Sequence, residues 1–337
     1  MIRVAVDAMG GDHAPQAEVA GVLAALAEWP GRFRVALVGQ PDVIAAELAK
    51  HPAAAGAPID IVPASEVIGM AESPLQAIRS KRDSSIMVGL GLHRKQGADA
   101  FVSCGNTGAI LAASTVVLGL YEGVERATVA PEFPALGGPV IVLDAGANVD
   151  CSARELVGFA LLGTVYARDV LGRESPRVGL LNVGEEEGKG TAVAKETYRL
   201  LKETAGINFV GNIEGRDIVS GRAGVGRLDV VVCDGFVGNI VLKFYESIGR
   251  LILDQLVRLA PDVVKRPELG ELFRFFDYAT VGGAPLLGVK GVSVICHGSS
   301  NAKAIANAIG RAVRAAETDL HAHIGAQMAA RPAVAGA

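Results

Sequence analysis

Cysteine is scarce: four residues in 337, Cys104, Cys151, Cys233 and Cys296, with no C-x-x-C pair. That excludes a disulfide scaffold and a cysteine-built metal site, and it predicts reduced, mostly buried thiols in a cytosolic protein. Each cysteine lies near the end of a strand-like run, which hints at shared surroundings. No run of 18 apolar residues exists, so no transmembrane helix is expected. The chain enters a strand at Ile2 without a basic leader or an apolar h-region, so no signal peptide is expected. No basic run occurs, and 32 basic against 36 acidic residues leave a net charge of −4. Nucleic acid is therefore not an expected partner. Aromatics are only 5%, while glycine is plentiful at 42 residues, so tight turns should carry much of the architecture.

Half the residues are hydrophobic, enough for a large core. The length allows two domains or one large α/β unit. We expect one unit over residues 1–327, with a protruding helical segment at about 245–280 and a disordered tail over 328–337.

The stretch 228–243 states the theme. Asp229–Cys233 reads as a buried strand, Asp234–Gly238 as a glycine turn, and Asn239 onward as a helix. Such a turn aims backbone N–H groups and a positive dipole end at one spot, which suits an anion. Asn239 and Lys243, four apart, share a helical face. Taken singly, the stretch is equally an ordinary βα connection.

The pattern recurs along the chain. Arg3–Asp7 is a strand followed by Gly10-Gly11-Asp12-His13 and a helix beginning near Pro15. Asp12 and His13 are candidate ligand groups there, or simply turn and surface residues. Strands follow at Phe33–Val38 and Ile59–Val62. The order β-α-β-α-β predicts a largely parallel sheet, a doubly wound α/β fold. No G-x-G-x-x-G follows the first strand, so dinucleotide binding has little support.

Further polar turns follow strands at Cys104–Gly108, Asp144–Asp150, Asn182–Gly190, Gly211–Asp217 and His297–Asn301. Ligands of open α/β sheets bind outside the carboxyl ends of the strands. Seven such turns on one sheet edge predict a crowded polar cleft. Arg79, Lys81 and Arg82, with Ser84 and Ser85, make either an anion clamp or a solvated helix face. Glu185–Glu187 form an acidic patch that Lys189 offsets in part; no histidine stands at ligand spacing, so no metal is expected. Helix Ser247–Val264 and Leu272–Phe276 predict packing on the core or on a dimer partner, or an apolar tip at a bilayer surface with Lys265, Arg266 and Arg274 near headgroups.

The turn strings resemble those of the phosphate acyltransferases of bacterial phospholipid synthesis. The resemblance rests on residues 4–15, 84–86, 105–109, 144–151, 179–187, 209–217, 231–239, 283–288 and 297–303, and spans residue 2 to about 320. Arg126-Ala127, Gly188 and Lys290 depart from that family's usual residues. The resemblance implies a three-layer α/β/α fold similar to the phosphate acetyltransferase and isocitrate dehydrogenase-like fold. It implies a homodimer without cofactor, cytoplasmic and peripherally membrane-associated. It further implies acyl transfer from acyl-acyl carrier protein to inorganic phosphate, and hand-off of acyl phosphate to a membrane glycerol-3-phosphate acyltransferase. A coenzyme A-dependent phosphate acetyltransferase, a decarboxylating dehydrogenase of similar fold that would need nucleotide and a divalent metal, and a non-catalytic membrane-surface scaffold are the rival readings.

For that chemistry the expected phosphate and substrate groups are Gly105, Asn106, Thr107 and Gly108, with Asp12, His13, Asn148, Gly235, Gly238, Lys243, Ser299, Ser300 and Asn301 around them. Lys189 would neutralise developing charge. Asn239 and the Gly235–Gly238 backbone would stabilise the oxyanion. Asp234 would orient Lys189 or a phosphate proton, and His297 would donate to the departing sulfur. Arg79, Lys81 and Arg82, or Lys265 and Arg266, would receive the acidic carrier protein.

Overall fold

The computed structural model describes residues 1–224, 226–264, 266 and 282–329. Two sheets carry the fold. The larger has seven strands: β1 (Ile2–Asp7), β2 (Phe33–Gly39), β3 (Ile59–Pro63), β4 (Ala100–Ser103), β5 (Thr128–Val129), β13 (Ala284–Leu287) and β14 (Ser293–Ile295). Their order is β3-β2-β1-β4-β14-β13-β5, parallel except where β13 runs against β14 and β5. The smaller holds β6 (Glu132–Phe133), β7 (Val140–Leu143), β8 (Arg177–Leu181), β9 (Asn208–Ile213) and β12 (Val230–Val232). Its order is β6-β7-β12-β8-β9, with only β6 antiparallel. A short hairpin of β10 (Arg222–Ala223) and β11 (Gly226–Arg227) stands apart.

The expected single sheet is thus two. Residues 128–133 explain the split: β5 closes the edge of one sheet, and β6 opens the other after only two residues. Ala130 N–H donates to Pro285 O on one side, and Val142 N–H to Pro131 O on the other. The connection is therefore stitched to both sheets.

Period-2 alternation sorts each strand's side chains between cores. Val4 and Val6 of β1 join a central cluster, whereas Ala5 faces an outer one. Ile141 and Leu143 of β7 join the same central cluster, whereas Val140 and Val142 face a third. Helices α1 (Gln16–Glu28), α6 (Ala153–Asp169), α11 (Ala302–Glu317) and α12 (Leu320–Ala329) fill that shared core. The outer face of the large sheet is covered by α3 (Pro74–Ser80), α4 (Ser85–Arg94) and α5 (Thr107–Leu118). Helix α7 (Ala192–Glu203) packs on α6, while α8 (Gly215–Ser220) and α9 (Gly235–Leu259) cover the small sheet's outer face. Short α2 (Pro41–Leu48) and α10 (Pro261–Val264) complete the described helices.

One sequence expectation needs correction at the C-terminal third. Met328, expected to open a disordered tail, is buried in α12, because it completes the core with Leu320 and Ile324. Of the predicted protruding segment, α9 and α10 are described; Lys265, Leu272–Phe276 and Arg274 lie outside the described residues.

Candidate functional site

Two buried aspartates organise two clusters of loops, one at the carboxyl edge of each sheet. In the large sheet, Asp7 ends β1 with only 1% of its surface exposed. Ser103 Oγ donates to it at 2.6 Å and Met9 N–H at 3.1 Å. Burial raises its pKa despite these donors. The loops after β1, β4 and β14 meet above it. Asp12 N–H donates to Gly298 O at 2.8 Å, and a Cβ on Gly10 would lie 2.8 Å from Gly105 N.

In the small sheet, Asp144 follows β7 and is fully buried. It accepts from Thr128 Oγ1 at 2.9 Å, Val129 N–H at 3.0 Å and Asn148 N–H at 2.6 Å. Burial raises its pKa too. The loop it holds receives the start of α9, since Gly235 N–H donates to Asn148 O at 2.7 Å. Ala147 of that loop packs against the outer cluster, to which Ala109 and Ile110 of α5 also belong. The expected single edge of seven turns is therefore two edges, one on each sheet. Gly211, Asn212 and Ile213 also lie within β9 rather than in a turn.

The central stretch differs from its sequence reading. Asp234–Gly238 is not a free glycine turn; α9 begins at Gly235, and Asp234 is its N-cap, accepting from Val237 N–H at 2.8 Å. The reason is packing: a Cβ on Gly235 would sit 2.4 Å from Asp144 Oδ2, so these glycines let the helix start against the aspartate. Gly235 N–H and Gly238 N–H are spent on Asn148 O and Asp234 O. Among the described residues only Phe236 N–H is left without a partner in this first turn, which narrows the expected oxyanion donors. Asn239 is exposed on the second turn, with its side chain close to Gly146. Lys243, one turn on, pairs with Glu246 at 2.9 Å.

Other predicted residues divide into exposed groups and struts. Asn106 caps α5 through Ala109 N–H at 3.0 Å. Its amide nitrogen donates to Met70 O and Glu72 O, each at 3.0 Å. Its side chain is consumed, so the open donors at α5 are the N–H groups of Thr107 and Gly108. Asn106→Ala should lower stability by about 1–2 kcal/mol, read as a lower urea midpoint, and should free residues 69–72. Asn148 is a strut as well, donating to Ala127 O at 2.9 Å. Ser300 is buried, and its N–H donates to His297 O; Asn301 caps α11 through Ala304 N–H.

His297 is exposed, and Ser299 N–H and Oγ meet its Nδ1 at 3.2 and 2.7 Å. An N–H donor at Nδ1 makes that nitrogen the acceptor, which leaves the neutral ring's proton on Nε2. Asp12 and His13 are exposed beside it. Lys189 lies on the β8–α7 loop, its Nζ 4.0 Å from Glu186. The acidic patch is neutralised piecewise, since Glu185 pairs with Arg216 and Glu187 with Lys202. No cluster of three or more metal-ligating side chains occurs among the described residues.

Of the basic candidates, Lys81 is taken by Glu72 at 2.6 Å and Val67 O at 2.7 Å. Arg79, Arg82 and Arg266 are exposed, and Lys265 lies outside the described residues. Sequence reasoning missed Asp144 and Glu18 of α1 as site-building groups. The signal for the first was available: an aspartate closing an apolar strand immediately before a glycine loop.

The fold and sequence have clear relatives. A family described as fatty acid synthesis protein matches residues 2–323. A phosphate acyltransferase from Acaryochloris marina is 45% identical over 332 residues, 96% of this chain and 94% of the relative. One from Heliobacterium modesticaldum is 48% identical over 316 residues, 91% and 92% of the two chains. The fold is similar to that of EutD phosphotransacetylase from Staphylococcus aureus, with a TM-score of 0.60, 14% identity and 94% of both chains covered. It is also similar to that of 4-hydroxythreonine-4-phosphate dehydrogenase from Klebsiella pneumoniae, with a TM-score of 0.51, 14% identity and 94% and 98% covered. Those structures speak to fold alone, but nearly half identity across more than nine-tenths of the chain speaks to descent, and the protein belongs to the phosphate acyltransferase family.

Proposed function

We propose that the protein transfers a fatty acyl group from acyl-acyl carrier protein to inorganic phosphate, giving acyl phosphate for phospholipid synthesis. The observation that carries this reading is the match, over almost the whole chain, to enzymes named phosphate acyltransferase. A phosphate oxygen bonds to the thioester carbonyl carbon, the C–S bond breaks, and the thiol takes up a proton. Phosphate is already anionic near neutrality, so no strong base is needed; holding two negative charges together is the difficulty.

The α5 N-terminus at Thr107 and Gly108 holds phosphate under this proposal. Lys189 is exposed and only loosely paired, so it can swing from Glu186 onto the phosphate at little cost. Phe236 N–H and Asn239 receive the developing oxyanion. His297 Nε2 donates to the departing sulfur under this proposal; a thiolate leaves readily, so this help is modest. Purified protein given acyl-carrier-protein thioester and radiolabelled phosphate should yield labelled acyl phosphate with release of the carrier's free thiol. No labelled acyl phosphate would refute the reading and favour a non-catalytic scaffold. The phosphotransacetylase fold favours one second reading, acyl-coenzyme A as donor, and a higher kcat/KM with that thioester would establish it.

Two surfaces complete the proposal. Helix α9 exposes Phe236, Ile240, Phe244, Leu251, Ile252, Val257 and Leu259. Such a stripe marks a partner or a membrane surface, and a homodimer with peripheral bilayer contact uses it. No described helix is long and apolar enough to cross a membrane. Arg79 and Arg82 offer exposed charge to an acidic carrier. Reversing both to glutamate should lower the carrier's association rate about tenfold at low salt. Stopped-flow association at rising ionic strength checks this; a salt-insensitive rate would remove the patch from the proposal.

A further inference from the structure

Beneath the diglycine loop lies a carboxyl group that none of the steps above uses. Glu18, in the first turn of α1, is 2% exposed. Its Oε2 is buried without a hydrogen-bond partner, an expensive state for a carboxylate. Its Oε1 presses on the loop: a Cβ on Gly11 would come within 3.0 Å of it and within 3.2 Å of Gly298 O. Gly11 has φ +117°, a conformation that glycine adopts without strain. A Cβ on the preceding Gly10 would lie 2.4 Å from Asp7 Oδ2 and 2.8 Å from Gly105 N. The loop thus rests on two buried carboxyls and touches the turn that starts α5.

The ionisable groups that bear on Glu18 are themselves acids: Asp7 from β1 and Cys104 from the end of β4. Behind Cys104 stands Cys296, from the end of the adjoining strand β14. Burial is the largest influence on Glu18; hydrogen bonds from its own backbone N–H and from the Cys104 thiol pull the other way, the charge of Asp7 adds to burial, and its pKa is pushed up to about 8. Asp7 is raised by burial as well. Glu18, buried and facing acidic neighbours, therefore retains a proton at neutral pH.

Building on the phosphate site proposed above, we propose that Glu18 is a positioning residue: as a neutral acid beneath Gly10-Gly11 it keeps the loop and the α5 N-terminus receptive to phosphate, and its ionisation sets the alkaline limit of phosphate binding. A carboxylate there adds a negative charge under the loop and opposes the positive dipole end that holds the anion. The effect falls on KM for phosphate, since Glu18 touches neither the thioester nor the leaving sulfur.

The test is KM for phosphate between pH 7 and 9.5, where phosphate is already mostly dianion above pH 8. In the wild type KM should rise about fivefold or more, the size of a typical coupling between two sites, with kcat little changed. In E18Q, which carries a permanently neutral side chain of the same shape, the rise should vanish. A curve for E18Q that tracks the wild type overturns the proposal. A second measurement needs no variant. Binding of phosphate to wild-type protein near pH 8.5, followed by calorimetry in buffers of different ionisation enthalpy, should take up protons, because an anion that prefers the neutral acid must favour its protonation. Zero uptake overturns the proposal. No phosphate binding at any pH would overturn the parent reading and this one together, whereas pH-independent binding would overturn this one alone.

Discussion

Lys189→Ala should cut kcat for acyl-phosphate formation by about 10²–10³-fold, the usual scale for losing one group that stabilises developing charge, and leave the unfolding transition where it was. The side chain is exposed, and its nearest anion, Glu186, is 4.0 Å from Nζ. Nothing in the core leans on it, so a stability effect is not expected. Its loop is held independently of the side chain: Lys189 N–H donates to Glu186 O, and Lys189 O accepts from Asn182 Nδ2 at 3.2 Å. The strand order puts β8 next to β12, so this loop emerges beside the start of α9. Steady-state kinetics with a thermal melt of the same preparation decides the matter. Turnover within threefold of wild type would strip Lys189 of its role. Glu186→Gln serves as a companion, since it releases the lysine without removing it and should not reproduce the loss.

Gly238→Ala should do the opposite, damaging the fold first. A Cβ at this position would lie 1.9 Å from Asp144 O and 2.9 Å from Asp144 C, both backbone atoms. Neither is the movable end of a side chain, so the strain must shift either the β7 loop or the first turn of α9. Overpacking of a rigid site costs about 3 kcal/mol or more at the upper end of its range. The loop in question is the one Asp144 ties to Thr128, Val129 and Asn148. The expected result is a large fall in the denaturant midpoint, with turnover lost alongside. Gly215→Ala is the control, since nothing lies within 4 Å of its added carbon; that change should stay within about 0.5 kcal/mol. A Gly238→Ala protein as stable as the control would mean that α9 is not seated against Asp144.

The contrast between these two positions reflects how the site is made. Polar groups such as Lys189 and His297 sit on loop surfaces, where under the proposal they act through what they reach. Glycines such as Gly10, Gly235 and Gly238 act by leaving room for a buried carboxyl or carbonyl. A sequence marks both kinds by the same polar, glycine-rich strings, so it does not tell which residue faces a ligand. Asn106 and Asn148 illustrate this. Both look like substrate ligands in the sequence, yet Asn106 spends its amide on the carbonyls of residues 70 and 72, and Asn148 on Ala127 O.

The local pattern determined the strands. Val140–Leu143 and Arg177–Leu181 fall where the apolar runs place them, and the polar turns at their ends were legible because strand ends and helix starts have distinct chemistry. The family was legible too, since it resides in those strings. Only tertiary structure decided that the turns divide between two sheets, because the division hangs on the short passage from β5 to β6 and on β5's partner β13, far away in the chain. Only tertiary structure moved the start of α9 back to Gly235, where long-range contact with Asp144 overrode the local reading of glycine as a break. Burial of Glu18 beneath Gly11 belongs to the same class. No property of a glutamate in a helical sequence announces that three strand ends will close over it.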